Sequence, residues 1–183
     1  MLKSFLHRYV RGFEARYGYD AGYMHDMTDI SAAGFVRFAL VQMAGGQWRS
    51  DAPRDPWHAA GIAGALVEDC GPCVQIASDI AIEAGMPAAT IAGLLSGTPV
   101  DADAQLGFDY GRALLHGSDN LDALRETIER RWGKAALLAI SLHAMTARNF
   151  PVIKRALGHA KTCQRVRVGK DEVAVNQMLK AAA

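Results

Sequence analysis

Apolar residues recur at intervals of three or four along most of this chain, which is the spacing of amphipathic helices. The first such run predicts a helix over residues 2–17 that ends at Gly18. A second helix is predicted over residues 30–44, capped by Asp29 or Ser31 and closed by a glycine pair. We expect the segment between them to be a connection that packs around a helix bundle. It is rich in aromatic residues and methionine, namely Tyr17, Tyr19, Tyr23, Met24 and Met27.

Two helices in the middle of the chain are predicted by a cap followed by proline. Asp55 and Pro56 begin a helix that runs to residue 67, and Asp69 or Cys70 caps a helix that has Pro72 in its first turn and ends at Gly85. Two further helices are predicted over residues 87–95 and from Asp101 or Asp103 to about His116. Another runs from Ser118–Asp119 to Gly133. The last runs from Lys134 to Leu157, with an interruption or kink at Pro151.

The tail after Gly158 has a different pattern. Apolar and polar residues alternate over residues 163–168, and Gly169 offers a turn before a second short apolar run. A short hairpin and a frayed final helix are therefore both open.

These elements predict an all-α fold with about seven helices in a single domain over residues 1–183. We expect the core of this helical bundle to cover about residues 30–158, after the N-terminal helix 2–17 and before a tail over 159–183. A chain of 183 residues is long enough to bury one core and too short for two domains of ordinary size.

Composition excludes some classes of partner. The formal charge is only +1, so no overall electrostatic attraction to nucleic acid or to an anionic membrane is predicted. Uncharged stretches fall short of the roughly 20 apolar residues that span a bilayer. The start lacks a secretory signal pattern, so a cytoplasmic location is expected. Three cysteines do not form a disulfide framework.

The strongest chemical signal is the tetrapeptide Cys70-Gly71-Pro72-Cys73. Two thiols at this spacing can close a disulfide, and the amides at a helix N-terminus stabilise a thiolate. Proline in the first turn stiffens the loop between the sulfurs. The motif therefore predicts a pair that cycles between dithiol and disulfide.

Two other interpretations of the pair stay open. A zinc site needs four ligands, and the third cysteine, Cys163, is distant with no histidine at a zinc-finger spacing, so no metal is predicted. Two inert buried cysteines are the other alternative. A thioredoxin fold is rejected because its motif lies between a strand and a helix, whereas helices surround this one.

A CxxC at a helix start in an all-helical chain of this size resembles the alkyl hydroperoxidase D-like branch of the carboxymuconolactone decarboxylase family. The similarity covers roughly residues 30–158, including the motif, the segment 79–87, the segment 91–95 and the closing helix through Asn149 to Gly158. It implies a helical subunit that assembles into a trimer or hexamer. It also implies a cysteine pair that reduces a hydroperoxide or a partner disulfide, with no bound cofactor.

The chain departs from this family pattern at two positions. Peroxidase members carry a histidine four residues after the second cysteine, where this chain has Ala77, and an acid about twelve residues before the first cysteine, where it has His58. The usual proton relay is therefore absent or rebuilt. Glu68 or His58 could supply a base, although the carboxylates of Glu68 and Asp69 would also raise a nearby thiol pKa. The candidate catalytic residues are Cys70, Cys73, Glu68 and His58.

Two considerations assign the attacking sulfur differently. The helix terminus favours Cys70 as an exposed thiolate, whereas peroxidase members of the family use the second cysteine. His143 and Gln75 are weaker candidates for a role at the site, and we expect Cys163 to be a solvated cysteine in a basic tail.

The expected function is a thiol-dependent peroxidase or disulfide reductase that is regenerated by an external dithiol. Its substrate would be a hydroperoxide or disulfide, and neither nucleic acid nor a membrane is an expected partner. A cysteine-independent enzyme of the decarboxylase type and a non-catalytic helical oligomer are the alternatives.

Overall fold

The structure, a computed structural model, describes residues 1–159 and 165–180. This part of the chain forms eight helices, a two-stranded hairpin and a final 3₁₀ turn. The helices are α1 (Leu2–Tyr17), α2 (Gly22–Ile30), α3 (Ala32–Gly46), α4 (Arg54–Val67), α5 (Gly71–Glu83), α6 (Ala88–Ser96), α7 (Ala102–His116) and α8 (Leu121–Ala156). Strands β1 (Arg165–Val168) and β2 (Asp171–Ala174) follow, and the 3₁₀ turn is Gln177–Lys180. The all-α prediction is confirmed, and the hairpin alternative is the one observed for the tail.

Local capping explains where several helices begin. The Ser31 side chain accepts a hydrogen bond from the Gly34 amide at the start of α3, and Asp101 accepts from Asp103 and Ala104 at the start of α7. These interactions satisfy amides that a helix leaves unpaired. The cap signals at Ser31 and Asp101 therefore mark real helix starts. The predicted cap at Asp55 is wrong, because α4 begins at Arg54 with Pro53 as its N-cap residue.

Two parts of the helix prediction differ from the structure. The aromatic connection contains α2, because the Ala21 carbonyl accepts hydrogen bonds from the amides of Met24 and His25 and starts a short helix. The interruption expected at Pro151 is not found, because α8 continues through it to Ala156. The boundary predicted at Gly133 is confirmed as non-helical backbone with φ 84° and ψ 170°. A conformation of this kind is essentially restricted to glycine, which explains the break there.

Helix α4 lies at the centre of the molecule. Every residue from Pro56 to Leu66 is buried, and the helix packs against α5, α7 and α8. Its alanines and glycines give it a narrow cross-section, so the neighbouring helices approach closely. This arrangement brings the C-terminal end of α4 and the start of α5 into the interior.

The hairpin packs on α5. Val166, Val168 and Val175 are buried in the same apolar cluster as Cys70 and Cys73. The Gln75 side chain donates to the Arg167 carbonyl and accepts from the Arg167 amide, each at 2.6 Å. Gln75 therefore pairs with the strand as a neighbouring strand would.

Helix α8 is long and apolar enough to cross a membrane by length and composition alone, with a mean hydropathy of 1.2 over its most apolar window. One third of that window is buried. Core helices of globular proteins meet the same criterion, and α8 packs against α3, α4 and α7.

Candidate functional site

The cysteine pair lies at the start of α5, as the motif predicts. Cys70 is the N-cap residue in an extended conformation, and its carbonyl accepts hydrogen bonds from the Cys73 and Val74 amides. Both thiols are free. Cys70 is 4% exposed and Cys73 is 3% exposed, so the exposure expected for Cys70 is not found. The hairpin covers this end of α5, which the sequence did not indicate.

The two thiols are coupled and carry opposite pKa shifts. The pKa of Cys70 is lowered to about 7, mainly by a hydrogen bond from Cys73. The charge of Lys154 and the Cys73 backbone amide act in the same direction, whereas burial and the Asp69 carboxylate oppose them. The pKa of Cys73 is raised, because Cys73 acts as donor to Cys70 and because it is buried. These opposite pKa directions favour Cys70 as the thiolate of the pair, with the Cys73 thiol donating a hydrogen bond to it.

A buried lysine lies beside this pair. Lys154 of α8 is only 3% exposed, and its Nζ donates to the Tyr19 hydroxyl at 3.1 Å. The same Nζ lies 4.8 Å from the centre of the Tyr19 ring and 5.2 Å from that of Tyr23. Burial raises the pKa of both tyrosines, so their hydroxyls keep their protons. Tyr19 in turn hydrogen-bonds Cys73. A chain of polar groups thus runs from Lys154 through Tyr19 to the sulfurs.

An apolar cavity of about 260 Å³ opens beside the pair. Cys73 lines it and Cys70 does not, so Cys73 is the sulfur that a molecule in the cavity would meet. Its aromatic wall is formed by Phe13, Phe35, Phe38, Phe150 and three tyrosines, Tyr9, Tyr19 and Tyr23. Among the described residues, none that lines the cavity is Asp, Glu, Lys or Arg.

Polar side chains from three helices also line this cavity, namely Gln42 of α3, His58 of α4 and His143 of α8. His58 of α4 lies edge-on to Trp57, and His143 of α8 stacks on Trp57 with ring centres 3.5 Å apart. The His143 Nδ1 donates to the Gly46 carbonyl at 2.6 Å. Any side chain at Gly61 would collide with the His143 ring, so this ring needs glycine opposite it.

Both of these histidines are neutral at pH 7. Burial lowers the pKa of His58 to about 4 and that of His143 to about 3. His58 therefore lies on the wall that Cys73 also lines, as an uncharged imidazole. His143 is only a weak candidate from the sequence, because its contact with Trp57 arises only when α4 packs on α8.

Glu68 is held in an ion pair at the end of α4. Its carboxylate, 7% exposed, accepts hydrogen bonds from Arg148 and Arg155 of α8. Burial raises the pKa of Glu68, but the hydrogen bonds and charges of the two arginines outweigh burial and leave the pKa below its ordinary value. The carboxylate thus joins α4 to α8 and is a weak base.

The remaining sequence candidates fall in different places. Ala77 lines the cavity on the same wall as Cys73, so no imidazole stands where peroxidase members of the resembled family have one. Gln75 faces the hairpin. Cys163 lies outside the described residues. No group of three or more potential metal ligands occurs within the described part of the chain.

Sequence reasoning missed Lys154, Tyr19 and Gln42 as site residues. Lys154 is on a different helix from the motif, and its only sequence signal is a lysine next to the apolar pair Val152–Ile153 before the helix ends. The aromatic connection predicts packing for Tyr19, and Tyr19 does pack, but its hydroxyl also lies between the lysine and Cys73.

The chain matches no protein-family model, no curated protein and no solved structure. Its function is therefore inferred from its residues and from this geometry.

Proposed function

We propose that this protein is a thiol-dependent oxidoreductase of the alkyl hydroperoxidase D-like type, which reduces a hydroperoxide or a disulfide. The observation that carries the proposal is the coupled pair, in which Cys70 has a lowered pKa and Cys73 lines an apolar cavity. Two inert structural cysteines would both have raised pKa values, because burial in apolar surroundings disfavours the thiolate.

The reaction with a hydroperoxide begins at Cys73. The Cys70 thiolate takes the Cys73 proton, and the Cys73 thiolate attacks the terminal oxygen of the peroxide. The O–O bond breaks, Cys73 becomes a sulfenic acid, and the alkoxide takes the proton from Cys70 to leave as an alcohol. Cys70 then attacks the Cys73 sulfur and hydroxide leaves as water after protonation. An external dithiol reduces the resulting disulfide by exchange.

Lys154 and Tyr19 support this chemistry in place of the missing histidine. The positive charge of Lys154 stabilises whichever sulfur is anionic, because it lowers the pKa of both thiols. Tyr19 donates a hydrogen bond to Cys73 and accepts one from Lys154, so it links the lysine to the sulfur. His58 stays on the cavity wall as a neutral group, and Glu68 is assigned to the ion pair with α8.

The alternatives receive less support from the site. A decarboxylase acting on a lactone acid needs a cationic partner for the carboxylate, and the lining of the cavity has no charged residue within the described chain. A non-catalytic oligomer does not require a coupled thiol pair. The cytoplasmic location expected from the sequence stays a prediction, and a reducing compartment would supply the dithiol.

The test separates the two sulfurs. Cumene hydroperoxide is added to the reduced protein with dimedone, which traps sulfenic acid, and the cysteine peptides are analysed by mass spectrometry. We expect the wild type to lose two hydrogens from the Cys70–Cys73 peptide and to recover them with dithiothreitol. Cys70→Ser lacks both the base and the resolving thiolate, so it should form a dimedone adduct on Cys73 more slowly and retain it, whereas Cys73→Ser should form no adduct on Cys70.

Cys163→Ser is the matched control, and its turnover should equal that of the wild type. Either single serine variant of the pair should lose catalytic turnover. Full peroxidase activity in both variants, or a reduced pair that survives excess peroxide, would remove the proposal. A dimedone adduct on Cys70 instead of Cys73 would reverse the assignment of the attacking sulfur.

A further inference from the structure

The cavity contains a buried polar group with no partner. Both the Nε2 and the Oε1 of Gln42 are buried without a hydrogen-bond partner in the described chain, and the residue is only 7% exposed. Leaving such an amide unsatisfied is unfavourable, and buried polar groups in native proteins nearly always have a partner. Gln42 lines the cavity, so a bound molecule can supply the missing partner.

A second group in the cavity lining has the same character. The Nε1 of Trp57 is also buried without a partner in the described chain, and Trp57 lines the cavity. An indole N–H only donates, and the amide nitrogen of Gln42 offers two further donors. Unsatisfied donors therefore outnumber the one unsatisfied acceptor, the Gln42 oxygen. This balance suits a ligand that presents a hydrogen-bond acceptor.

The ligand should also be uncharged. His58 and His143 are neutral at pH 7, and the lining of the cavity has no Asp, Glu, Lys or Arg among the described residues. A carboxylate moved into such a cavity would lose its hydration without gaining a charged partner. A neutral acceptor such as a carbonyl oxygen carries a much smaller cost.

We propose that the substrate is an uncharged organic hydroperoxide or disulfide whose aromatic or branched body packs on the phenylalanine wall and which also carries a carbonyl oxygen that accepts a hydrogen bond from Gln42. The reaction of this molecule at Cys73 rests on the proposed function, but its binding does not. Hydrogen peroxide, which has no apolar body, would use little of this cavity.

Three probes of similar shape test the proposal by equilibrium binding. Acetophenone has a carbonyl, α-methylstyrene replaces the carbonyl by a CH₂ group of the same shape, and benzoate carries a charge. We expect acetophenone to bind about five-fold more tightly than α-methylstyrene, which is the effect of one net hydrogen bond. Benzoate should bind more weakly than either, and calorimetry measures all three.

The variant Gln42→Leu should bring the ratio between acetophenone and α-methylstyrene to about one while α-methylstyrene still binds. Leu40→Met, at an exposed residue of α3 that does not line the cavity, is the control and should keep the wild-type ratio. Thermal melting establishes that each variant is folded. If Gln42→Leu does not fold, the wild-type ratio alone decides the matter.

Equal binding of acetophenone and α-methylstyrene to the wild type, tighter binding of benzoate, or no binding of any probe would overturn the proposal. The variant Cys70→Ser should keep the wild-type preference although it loses turnover, because Cys70 does not line the cavity. A wild type that shows the preference for acetophenone but has no peroxidase activity would show that the redox proposal fails while the binding proposal stands.

Discussion

A buried ammonium beside two thiols is an unusual arrangement for a packing residue. Lys154 has one hydrogen bond to Tyr19 and two aromatic faces around it in place of a carboxylate. Aromatic faces attract cations but compensate only part of the lost hydration. An anion nearby would complete the compensation, and the Cys70 thiolate is such an anion. The lysine and the thiolate therefore stabilise one another.

Replacing Lys154 should make Cys70 a weaker acid. Lys154→Met removes the charge and keeps most of the side-chain volume, so the Cys70 pKa should rise from about 7. Below that pKa, the rate of alkylation by iodoacetamide should fall about ten-fold for each unit by which the pKa rises. The rate is measured against pH on the Cys70 peptide. Lys134→Met, which removes an exposed lysine of the same helix, should leave the profile unchanged. An unchanged profile in Lys154→Met would contradict the coupling.

Glu68 should contribute to stability and not to thiol chemistry. Its folded pKa is lower than its unfolded pKa, so its contribution is present above the unfolded pKa and is lost as the pH falls through the folded value. Glu68→Gln should lower the free energy of unfolding at pH 7 by roughly 1–3 kcal/mol, with less effect in acid. Urea melts at pH 7 and pH 3 measure this. The alkylation profile of Cys70 should keep its midpoint, and a large shift of that midpoint would return Glu68 to the catalytic group.

Only part of the site could be predicted from the sequence. Cys70 and Cys73 are recognisable because their spacing is local and the proline fixes a helix start. Lys154, Tyr19 and Gln42 come from three other parts of the chain, and tertiary packing alone brings them together. His58 is recognisable by its distance from the motif along the chain, yet only its burial against Trp57 reveals that it is neutral.

The hairpin is an element whose role depends on one side chain of α5. The Gln75 side chain donates a hydrogen bond to the Arg167 carbonyl and accepts one from the Arg167 amide. It also donates to Asp79 at 3.1 Å. The valines of the hairpin lie over the cluster that contains Cys70. Release of the hairpin would therefore expose the sulfur that the cavity does not reach.

Gln75→Ala should loosen the hairpin and expose Cys70. With two hydrogen bonds to Arg167 lost, amide exchange at Arg167 should speed up about five-fold or more, and alkylation of Cys70 should rise with it. Hydrogen exchange with mass spectrometry measures the first effect. Gln105→Ala is the control, because Gln105 bonds Asp109 within its own helix. Unchanged exchange at Arg167 would show that the valines alone hold the hairpin.

Most helices could be predicted because their end signals are local. Ser31, Asp101 and the proline of the motif act within one turn of their own positions. Helix α2 could not be found in the same way, because the structure shows no side-chain cap hydrogen bond at its start. The structure of the tail could not be predicted without tertiary contacts. The alternating residues 165–168 form a strand because Gln75 hydrogen-bonds Arg167 and because Val166 and Val168 pack in the apolar cluster.

At the scale of the whole molecule, α1 and α3 present an uncovered apolar face. Leu2, Phe5 and Tyr9 of α1 and Leu40 and Met43 of α3 are each more than half exposed. Helices α1 and α3 contact one another, so these side chains form a joint surface. Tyr9 and Met43 also line the cavity. A second copy of the chain on this face would cover the apolar surface and narrow the opening to the cavity at the same time.

We therefore propose that the chain forms the trimer or hexamer implied by the family resemblance through this face. Phe5→Glu places a charge in the α1 part of this apolar face. Because Phe5 is 63% exposed, the substitution should leave the fold intact, and it should shift the protein to monomer. Sedimentation velocity measures the mass of each form. Leu138→Glu, at a residue of α8 that is 52% exposed, is the control and should sediment as the wild type does. Since assembly would narrow the opening, the Phe5→Glu monomer should also bind and release acetophenone faster. A wild type that sediments as a monomer would contradict the proposal, and a Phe5→Glu protein that stays assembled would move the interface elsewhere.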